Sequence, residues 1–233
     1  MTGASRGLGL GIARCLAAAG HPVVLASRGQ ADLDRAALSI GESALAVATD
    51  VSVAADVDRL IEIARERHGT IDVVVNNAGA PPVLEPLDTL TWERWCRSID
   101  VDVHGAFATT RAVAPVLRTQ GGGTIVNVVG ANGGALSSPA HLSFSPAQAA
   151  LLSLSRCTAT VLEPAGVAVH TLFPALTPSG EIGRTAAAAL GVDFDEDVLT
   201  PDQAGDAVVA LLHEHDSGEW RVGPGGLSPV SGV

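Results

Sequence analysis

The sequence predicts an α/β fold in which helices cover both faces of a doubly wound parallel sheet, within a single domain. Short β-branched and aliphatic runs alternate with longer Ala-, Leu- and Arg-rich segments of helical period, the pattern of β-α-β units. The strand runs are continuously hydrophobic, as expected when both faces of a sheet are covered. With 233 residues, 47% hydrophobic and 17% charged, the chain can bury one sizeable core.

Each element follows from local composition. The predicted strands are short Val-, Ile-, Leu- and Ala-rich runs at 23–26, 44–48, 73–76, 124–129 and 167–173. The predicted helices carry apolar residues at helical spacing and lie at 8–19, 53–67, 91–117, 146–162 and 201–213. Residues 176–199 contain Pro178, several glycines and an acidic run, which indicates either a solvated surface insertion or a lid over a substrate pocket.

Charge and cysteine content exclude several kinds of partner. Acidic residues outnumber basic ones by 25 to 14, and the net charge of −11 disfavours nucleic acid and anionic membrane surfaces. Cys15, Cys96 and Cys157 lack the paired spacing of a zinc site, so we expect reduced thiols and no bound metal. The sequence shows no membrane-spanning stretch and no export signal. We therefore expect a cytoplasmic protein.

A glycine-rich turn, TGASRGLG, opens the chain at residues 2–9. Its spacing suits a dinucleotide, because Gly3 permits the tight bend, Gly7 lets the backbone approach a pyrophosphate, and Gly9 allows the next helix to pack closely. Such a turn normally follows the central strand of a Rossmann-type sheet, and here only Met1 precedes it. We therefore expect that this first central strand is absent from the sequence and that the native chain begins several residues upstream.

Two arginines indicate which dinucleotide this turn binds. Arg28 follows the strand predicted at 23–26, at the position where an acidic residue would accept the 2′-hydroxyl of NAD. Together with Arg6 it forms a cationic pair suited to a 2′-phosphate. The sequence therefore predicts NADP(H) as the cofactor, in preference to NAD(H).

These motifs resemble those of the short-chain dehydrogenase/reductase family over essentially the whole chain. The matching segments are the TGxxxGxG turn at 2–9, Asp50-Val51, the NNAG motif at 76–79 and Pro174 with Thr177. Residues 199–201 and 223–226 look like the start of the family's last helix and its last strand. The resemblance implies a seven-stranded sheet and a homo-oligomer, commonly a tetramer, built on two long helices. The cofactor-binding residues that it implies are Gly3, Ser5, Arg6, Gly7, Leu8, Gly9, Arg28, Asp50, Val51, Asn77, Ala78, Gly79, Pro174 and Thr177.

The family's active site is an Asn-Ser-Tyr-Lys tetrad, but this chain contains neither Tyr nor Lys. Matching the family pattern places Asp102 on the Asn, Gly130 or Val129 on the Ser, Phe144 on the Tyr and Gln148 on the Lys. The lysine normally lowers the pKa of the tyrosine, so that the phenol can protonate a carbonyl as hydride arrives. Because Phe144 has no such proton and Gln148 no charge, we expect ketone reduction by the family mechanism to fail.

Two of these replacements have a second interpretation. Asp102 is either a catalytic carboxylate, suited to a cationic acceptor such as an iminium, or a near-isostere of the Asn that supports a distortion of its helix. Gln148 also fits a capping box with Ser145, which would start a helix near Pro146 and leave Gln148 with a structural role only.

The groups that could exchange protons near the lost tyrosine are His141, Ser143 and Ser145. His141 is the best suited of them, because histidine titrates near neutral pH, although a solvent-facing loop histidine is the alternative. The candidate catalytic residues are therefore Asp102, His141 and Ser143. Trp92 and Trp95, at helical spacing, are interpreted as packing or subunit-interface residues.

Three functions remain open on these grounds. The first is an NADP(H)-dependent oxidoreductase that transfers hydride to or from a small hydrophobic molecule by positioning alone. The second is a redox-neutral cyclase, dehydratase or isomerase that reuses the same pocket. The third is a non-catalytic NADP(H)-binding sensor or partner protein. We favour the first, because loss of catalysis would be expected to erode the cofactor motifs as well.

Overall fold

The computed structural model describes residues 1–81, 85–130, 142–175, 177 and 198–230. Within these ranges the α-helices are α1 (Gly7–Ala18), α2 (Gln30–Ile40), α3 (Ala54–His68), α4 (Trp92–Ser98), α5 (Gly105–Gln120), α6 (Phe144–Leu162) and α7 (Pro201–Leu211). The strands are β1 (Val23–Ser27), β2 (Ala44–Ala48), β3 (Val73–Asn76), β4 (Gly123–Val128), β5 (Val167–Pro174), β6 (Gly218–Gly223) and β7 (Gly226–Pro229). A π-helical segment (Ile99–His104) joins α4 to α5, and a 3-10 turn (Glu163–Ala165) follows α6.

The strands form two parallel sets that meet at the start of the chain. β1 pairs with β2, and β3 to β6 pair in sequence order, with β7 added as an antiparallel edge. Between β1 and β3, the Ala26 N–H donates to the Met1 carbonyl at 2.9 Å and the Thr2 N–H donates to the Val75 carbonyl at 3.0 Å. Met1 and Thr2 thus occupy the place of the expected central strand, and no further strand lies there among the described residues.

The two faces of the sheet are covered by different helices. On β4, Ile125 is fully buried against residues of α3, α5 and α6, whereas the next residue, Val126, is fully buried against residues of α1 and α7. Successive side chains of a strand point to opposite faces, so two cores meet at the sheet. The predicted doubly wound α/β fold with both faces covered is therefore confirmed.

Three details of the predicted elements were wrong. The helix predicted at 91–117 is interrupted by the π-helical segment, which hydrophobic periodicity does not distinguish from α-helix. Helix α2 was missed, since its sequence is largely polar and lies mostly on the surface. Residues 223–226 resembled a final strand, but they form the tight turn that joins β6 to β7.

Three further expectations concern a lid segment, a membrane-spanning helix and a bound metal. The predicted lid at 176–199 lies outside the described residues, apart from Thr177, Val198 and Leu199. Among the described residues, no helix combines the length and the apolar character needed to cross a membrane. Within the same ranges, no group of three or more His, Cys, Asp or Glu side chains is arranged to hold a metal ion.

Candidate functional site

The glycine turn at residues 3–9 has the backbone geometry that a phosphate-binding loop needs. Gly3 and Gly7 have φ angles of 64° and 58°, a region that residues with a side chain rarely adopt. A Cβ atom at Gly9 would lie only 2.2 Å from the Gly3 carbonyl oxygen, so a side chain there would displace the turn. Helix α1 begins at Gly7 without a side-chain cap, and its N-terminus offers positive partial charge to an anion.

The NNAG segment holds this turn in place. The backbone N–H groups of Asn77 and Ala78 both donate to Thr2 Oγ1, each at 3.1 Å. The Asn77 side chain returns two bonds, from Nδ2 to the carbonyl oxygens of Thr2 at 3.1 Å and Gly3 at 3.2 Å. Four hydrogen bonds therefore join the segment after β3 to the glycine turn.

Asp50 lies in a polar setting that favours its charged form. Its Oδ1 accepts bonds from Ser52, from the N–H at 3.0 Å and from Oγ at 2.6 Å. Partial burial opposes ionisation, but the Ser52 bonds and the charges of Arg28 and Arg97 outweigh it and hold the pKa of Asp50 below its ordinary value. Asp50 is therefore an anionic acceptor at neutral pH.

The sheet topology brings the remaining residues that were predicted to bind the cofactor to one edge. The carboxyl ends of parallel strands form the usual ligand crevice of a doubly wound sheet. Segments that follow or end the parallel strands are Arg28 after β1, Asp50-Val51 after β2, Asn77 to Gly79 after β3, Val129-Gly130 after β4, and Pro174 with Thr177 at β5. The motifs found along the sequence therefore gather at the edge where a dinucleotide would bind.

Three of the four residues aligned with the family tetrad, Asp102, Gly130 and Gln148, form a hydrogen-bonded group of their own. Asp102 is 1% exposed, and its Oδ1 accepts the Ala80 N–H at 2.7 Å. Its Oδ2 accepts Gln148 Nε2 at 2.8 Å. The Gln148 Oε1 in turn accepts the Gly130 N–H at 2.7 Å. We call the side chains of Asp102 and Gln148, with the backbone N–H groups of Ala80 and Gly130, the Asp102–Gln148 network.

Burial raises the pKa of Asp102 to about 7, while the bonds from Ala80 and Gln148 act in the opposite direction. Asp102 lies in the π-helical segment, and its carboxyl group is buried in the core. The helix distortion expected around Asp102 is thus present, and its side chain is fully engaged with protein donors.

Phe144 and Gly130 fit each other closely. Phe144 is buried, and a Cβ atom added at Gly130 would lie 2.9 Å from Cζ of its ring. The absence of a side chain at Gly130 therefore makes room for this ring. Helix α6 begins at Phe144 and Gln148 lies inside it, so the proposed capping box starting at Ser145 is wrong. The tertiary bonds of Gln148 prevail over that local signal.

The other proposed proton donors fall in different places. His141 lies outside the described residues. Ser143 is fully buried, and its Oγ has no hydrogen-bond partner among the described residues. His104, two residues beyond Asp102, does not join that carboxyl; its Nδ1 lies 3.0 Å from Asp100 Oδ1 on the surface.

Sequence reasoning missed a second buried polar chain beneath the site. Asn76 Nδ2 donates to Asn127 Oδ1 at 2.8 Å, and Asn127 Nδ2 donates to Ser155 Oγ at 2.9 Å. This chain ties β3 to β4 and to α6. The signal available was the presence of Asn residues in two otherwise apolar strands, since buried amides require partners.

Comparison with known proteins agrees with the motifs. A family model described as short chain dehydrogenase matches residues 1–188. The Homo sapiens protein named dehydrogenase/reductase SDR family member 4 is 33% identical over 179 residues, 76% of this chain and 64% of the relative. The chain thus spans less than two thirds of that relative. A Streptomyces virginiae protein, the monensin polyketide synthase putative ketoacyl reductase, is 34% identical over 214 residues, 88% of this chain and 80% of the relative.

Solved structures give the same result for the fold. The 3-ketoacyl-(acyl-carrier-protein) reductase from Brucella melitensis, complexed with NADH, superposes with a TM-score of 0.85 at 28% identity, covering 96% of this chain and 95% of that chain. The alcohol dehydrogenase from Thermococcus sibiricus, complexed with 5-hydroxy-NADP, gives 0.83 at 27% identity, covering 96% and 94%. With the family model matching most of its length, the chain belongs to the short-chain dehydrogenase/reductase family of oxidoreductases.

Proposed function

We propose that this protein binds NADP(H) and transfers hydride between the nicotinamide and a small hydrophobic molecule by positioning, without the side-chain acid that the family uses. The proposal rests on a contrast between the glycine turn and the positions aligned with the family tetrad. The glycine turn keeps its phosphate-binding geometry, whereas the aligned tetrad positions hold Asp102, Gly130, Phe144 and Gln148.

The choice of NADP(H) rests on Arg28 at the end of β1, where a guanidinium suits a 2′-phosphate. The similar structures include one complexed with NADH and others with NADP or 5-hydroxy-NADP, so either dinucleotide is compatible with the fold. Titrating the protein with NADPH and with NADH, followed by nucleotide fluorescence, tests the preference. Tighter binding of NADPH is expected, and equal or weaker binding would overturn it.

Hydride transfer without an acid limits the acceptor. General acid catalysis typically contributes about 10²–10⁴-fold, whereas holding two reactants in register contributes about 7–11 kcal/mol. Hydride from NADPH can reduce an iminium to an amine with no proton delivered at the reacting atom, and NADP⁺ is released. A strongly polarised enone is the other acceptor that fits.

Transfer of deuterium from C4-deuterated NADPH to cyclic imines, compared with ketones of similar size, tests this step. We expect label in the amine product and background rates with ketones. Gly9→Val is the matched control, because a side chain there meets the Gly3 carbonyl and should abolish nucleotide binding. No transfer to any of these acceptors by a protein that binds NADPH would remove the proposed reaction.

A second function, NADP(H) binding without catalysis, is favoured by the Asp102–Gln148 network. Both Asp102 oxygens and both ends of the Gln148 amide are engaged with the protein's own groups, so neither has an obvious task toward a substrate. A protein of this kind would change its affinity for a partner with nucleotide and turn over nothing. Pull-down with and without NADPH, beside the deuterium assay, separates the two functions.

We also propose that the protein is a cytoplasmic homo-oligomer. Large apolar side chains are exposed on its long helices, including Phe107 on α5 and Val161 on α6, at 52% and 61%. Trp92 on α4 is exposed as well, so within this chain it is not a packing residue. Light scattering after size-exclusion chromatography tests the assembly, and a monomer at micromolar concentration would contradict it.

A further inference from the structure

A cavity of 290 Å³ opens beside the carboxyl ends of β1 and β2. Arg28 and Asp50 form one wall, and Arg94 and Arg97 on α4 form part of the other. Since Arg28 and Asp50 belong to the cofactor site implied by the family motifs, this cavity lies at the adenosine end of that site. Arg6, the expected partner of Arg28, is not among the residues that line it.

The three arginines of the cavity differ in their partners. Arg94 forms an ion pair with Glu85. In the part of the chain that the structure describes, the side chains of Arg28 and Arg97 have no hydrogen bond and no ion pair, although the charge of each acts on Asp50. Two guanidinium groups in one cavity repel each other, so an anionic ligand that lies between them is favoured by both.

Three carboxylates also line the cavity, so the balance of charge there depends on the two arginines without partners among the described residues. Asp50 is engaged by Ser52 and Asp100 by His104, and Glu93 is the third. Because Glu85 offsets the charge of Arg94, Arg28 and Arg97 are the cations that oppose these carboxylates, and loss of either one makes the lining more negative. A phosphate monoester would then meet repulsion where it now meets two cations.

We propose that Arg97 binds the 2′-phosphate of NADP(H) together with Arg28 and thereby sets the preference for the phosphorylated dinucleotide. The pyrophosphate is an unsuitable occupant, because the glycine turn and the N-terminus of α1 already provide its site. With the pyrophosphate at that turn and the adenine at Asp50, as the family motifs imply, the adenosine ribose would lie between them, and its 2′-position is where NADP differs from NAD. The inference rests on the proposed binding of NADP(H) and adds a residue from α4 that the sequence motifs do not include.

Calorimetric titration with adenosine 2′,5′-bisphosphate and with AMP isolates the phosphate contact from the rest of the cofactor. Arg97→Gln and Arg28→Gln are each expected to weaken bisphosphate binding by about 5-fold or more, because each removes a charge-assisted contact at an exposed site. The affinity for AMP should change little. The double variant Arg94→Gln, Glu85→Gln is the matched control, since it removes an ion pair at the same cavity and leaves the net charge of the protein unchanged. It should bind both probes as the parent protein does.

The outcomes separate this inference from the function on which it rests. If the parent protein binds neither NADPH nor the bisphosphate, NADP(H) binding itself is wrong. If the parent protein prefers the bisphosphate and Arg97→Gln keeps that preference, only the role of Arg97 is wrong. An equal loss of AMP and bisphosphate affinity in Arg97→Gln would also overturn the inference, because Arg97 would then contact the adenosine and not the 2′-phosphate.

Discussion

The two ends of the cofactor crevice differ in how their polar groups are used. At the nucleotide end, Arg28 and Arg97 line a cavity without ion-pair partners among the described residues, and α1 begins without a side-chain cap. At the end aligned with the family's tetrad, Asp102 and Gln148 bind each other and nearby backbone groups. The first end has charged groups that suit an anionic ligand, whereas the polar side chains of the second end already have hydrogen-bond partners within the protein. The two ends therefore differ in what they leave for a ligand.

The largest effect is expected from restoring the family's tetrad, which tests whether the four replaced residues account for the difference between the two ends. The variant Asp102→Asn, Gly130→Ser, Phe144→Tyr, Gln148→Lys supplies a phenol and a cation, and general acid catalysis is typically worth about 10²–10⁴-fold. We expect NADPH-dependent ketone reduction to rise from background by about 100-fold or more. The variant with only Asp102→Asn and Gly130→Ser, which lacks the acid, is the control and should stay at background.

The result of that experiment depends on whether the four replacements are the only barrier. A restored variant that folds and binds NADPH, yet reduces no ketone, would mean that the pocket itself no longer admits a carbonyl next to the nicotinamide. The ring at position 144 must also move to accept a side chain at 130, since the Gly130 Cβ position lies 2.9 Å from Phe144 Cζ.

The division between the two ends also marks how far the sequence could predict the structure. The glycine turn, Asp50 and the NNAG segment are short local motifs, so their positions along the chain were enough to place them at one sheet edge. The Asp102–Gln148 network joins four segments that are distant in sequence, and no local pattern encodes such pairing. At Gln148 a local capping signal pointed to the wrong partner, and at Asp102 the apolar periodicity concealed the π-helical segment.

The next largest effect concerns the pH dependence of stability through Asp102. Its pKa is raised to about 7 from the ordinary 3.8, so the folded protein holds this proton more tightly than the unfolded chain does. The stabilisation is fully present below pH 3.8 and is lost as the pH rises through about 7. At 1.36 kcal/mol per pKa unit, the free energy at stake is on the order of 4 kcal/mol.

Urea unfolding of the parent protein and of Asp102→Asn between pH 4 and 8 measures this contribution. The free energy of unfolding of the parent is expected to fall more steeply with rising pH than that of the variant, whose residue 102 does not titrate. Asp100→Asn, at an exposed carboxylate in the same segment, is the control and should keep the parental slope. His170, whose pKa burial lowers, acts in the opposite direction but is present in all three proteins, so it cancels. Equal slopes in the parent and Asp102→Asn would contradict the buried, proton-binding carboxyl.

The smallest effect tests whether Gly130 and Phe144 are matched to each other. Gly130→Ala places a methyl group against Phe144 Cζ and Cε1, at 2.9 and 3.4 Å, and crowding of this kind costs about 1–3 kcal/mol. Because Ala also stiffens the unfolded chain by about 0.4–1 kcal/mol, the net loss of stability should be about 1–2 kcal/mol. In the background Phe144→Leu the ring is gone, and the same substitution should cost nothing or stabilise. A double-mutant cycle measured by urea unfolding gives this coupling directly. If the effects of the two substitutions are additive, positions 130 and 144 are not coupled. The arrangement at this end of the crevice would then depend on Asp102 and Gln148 alone.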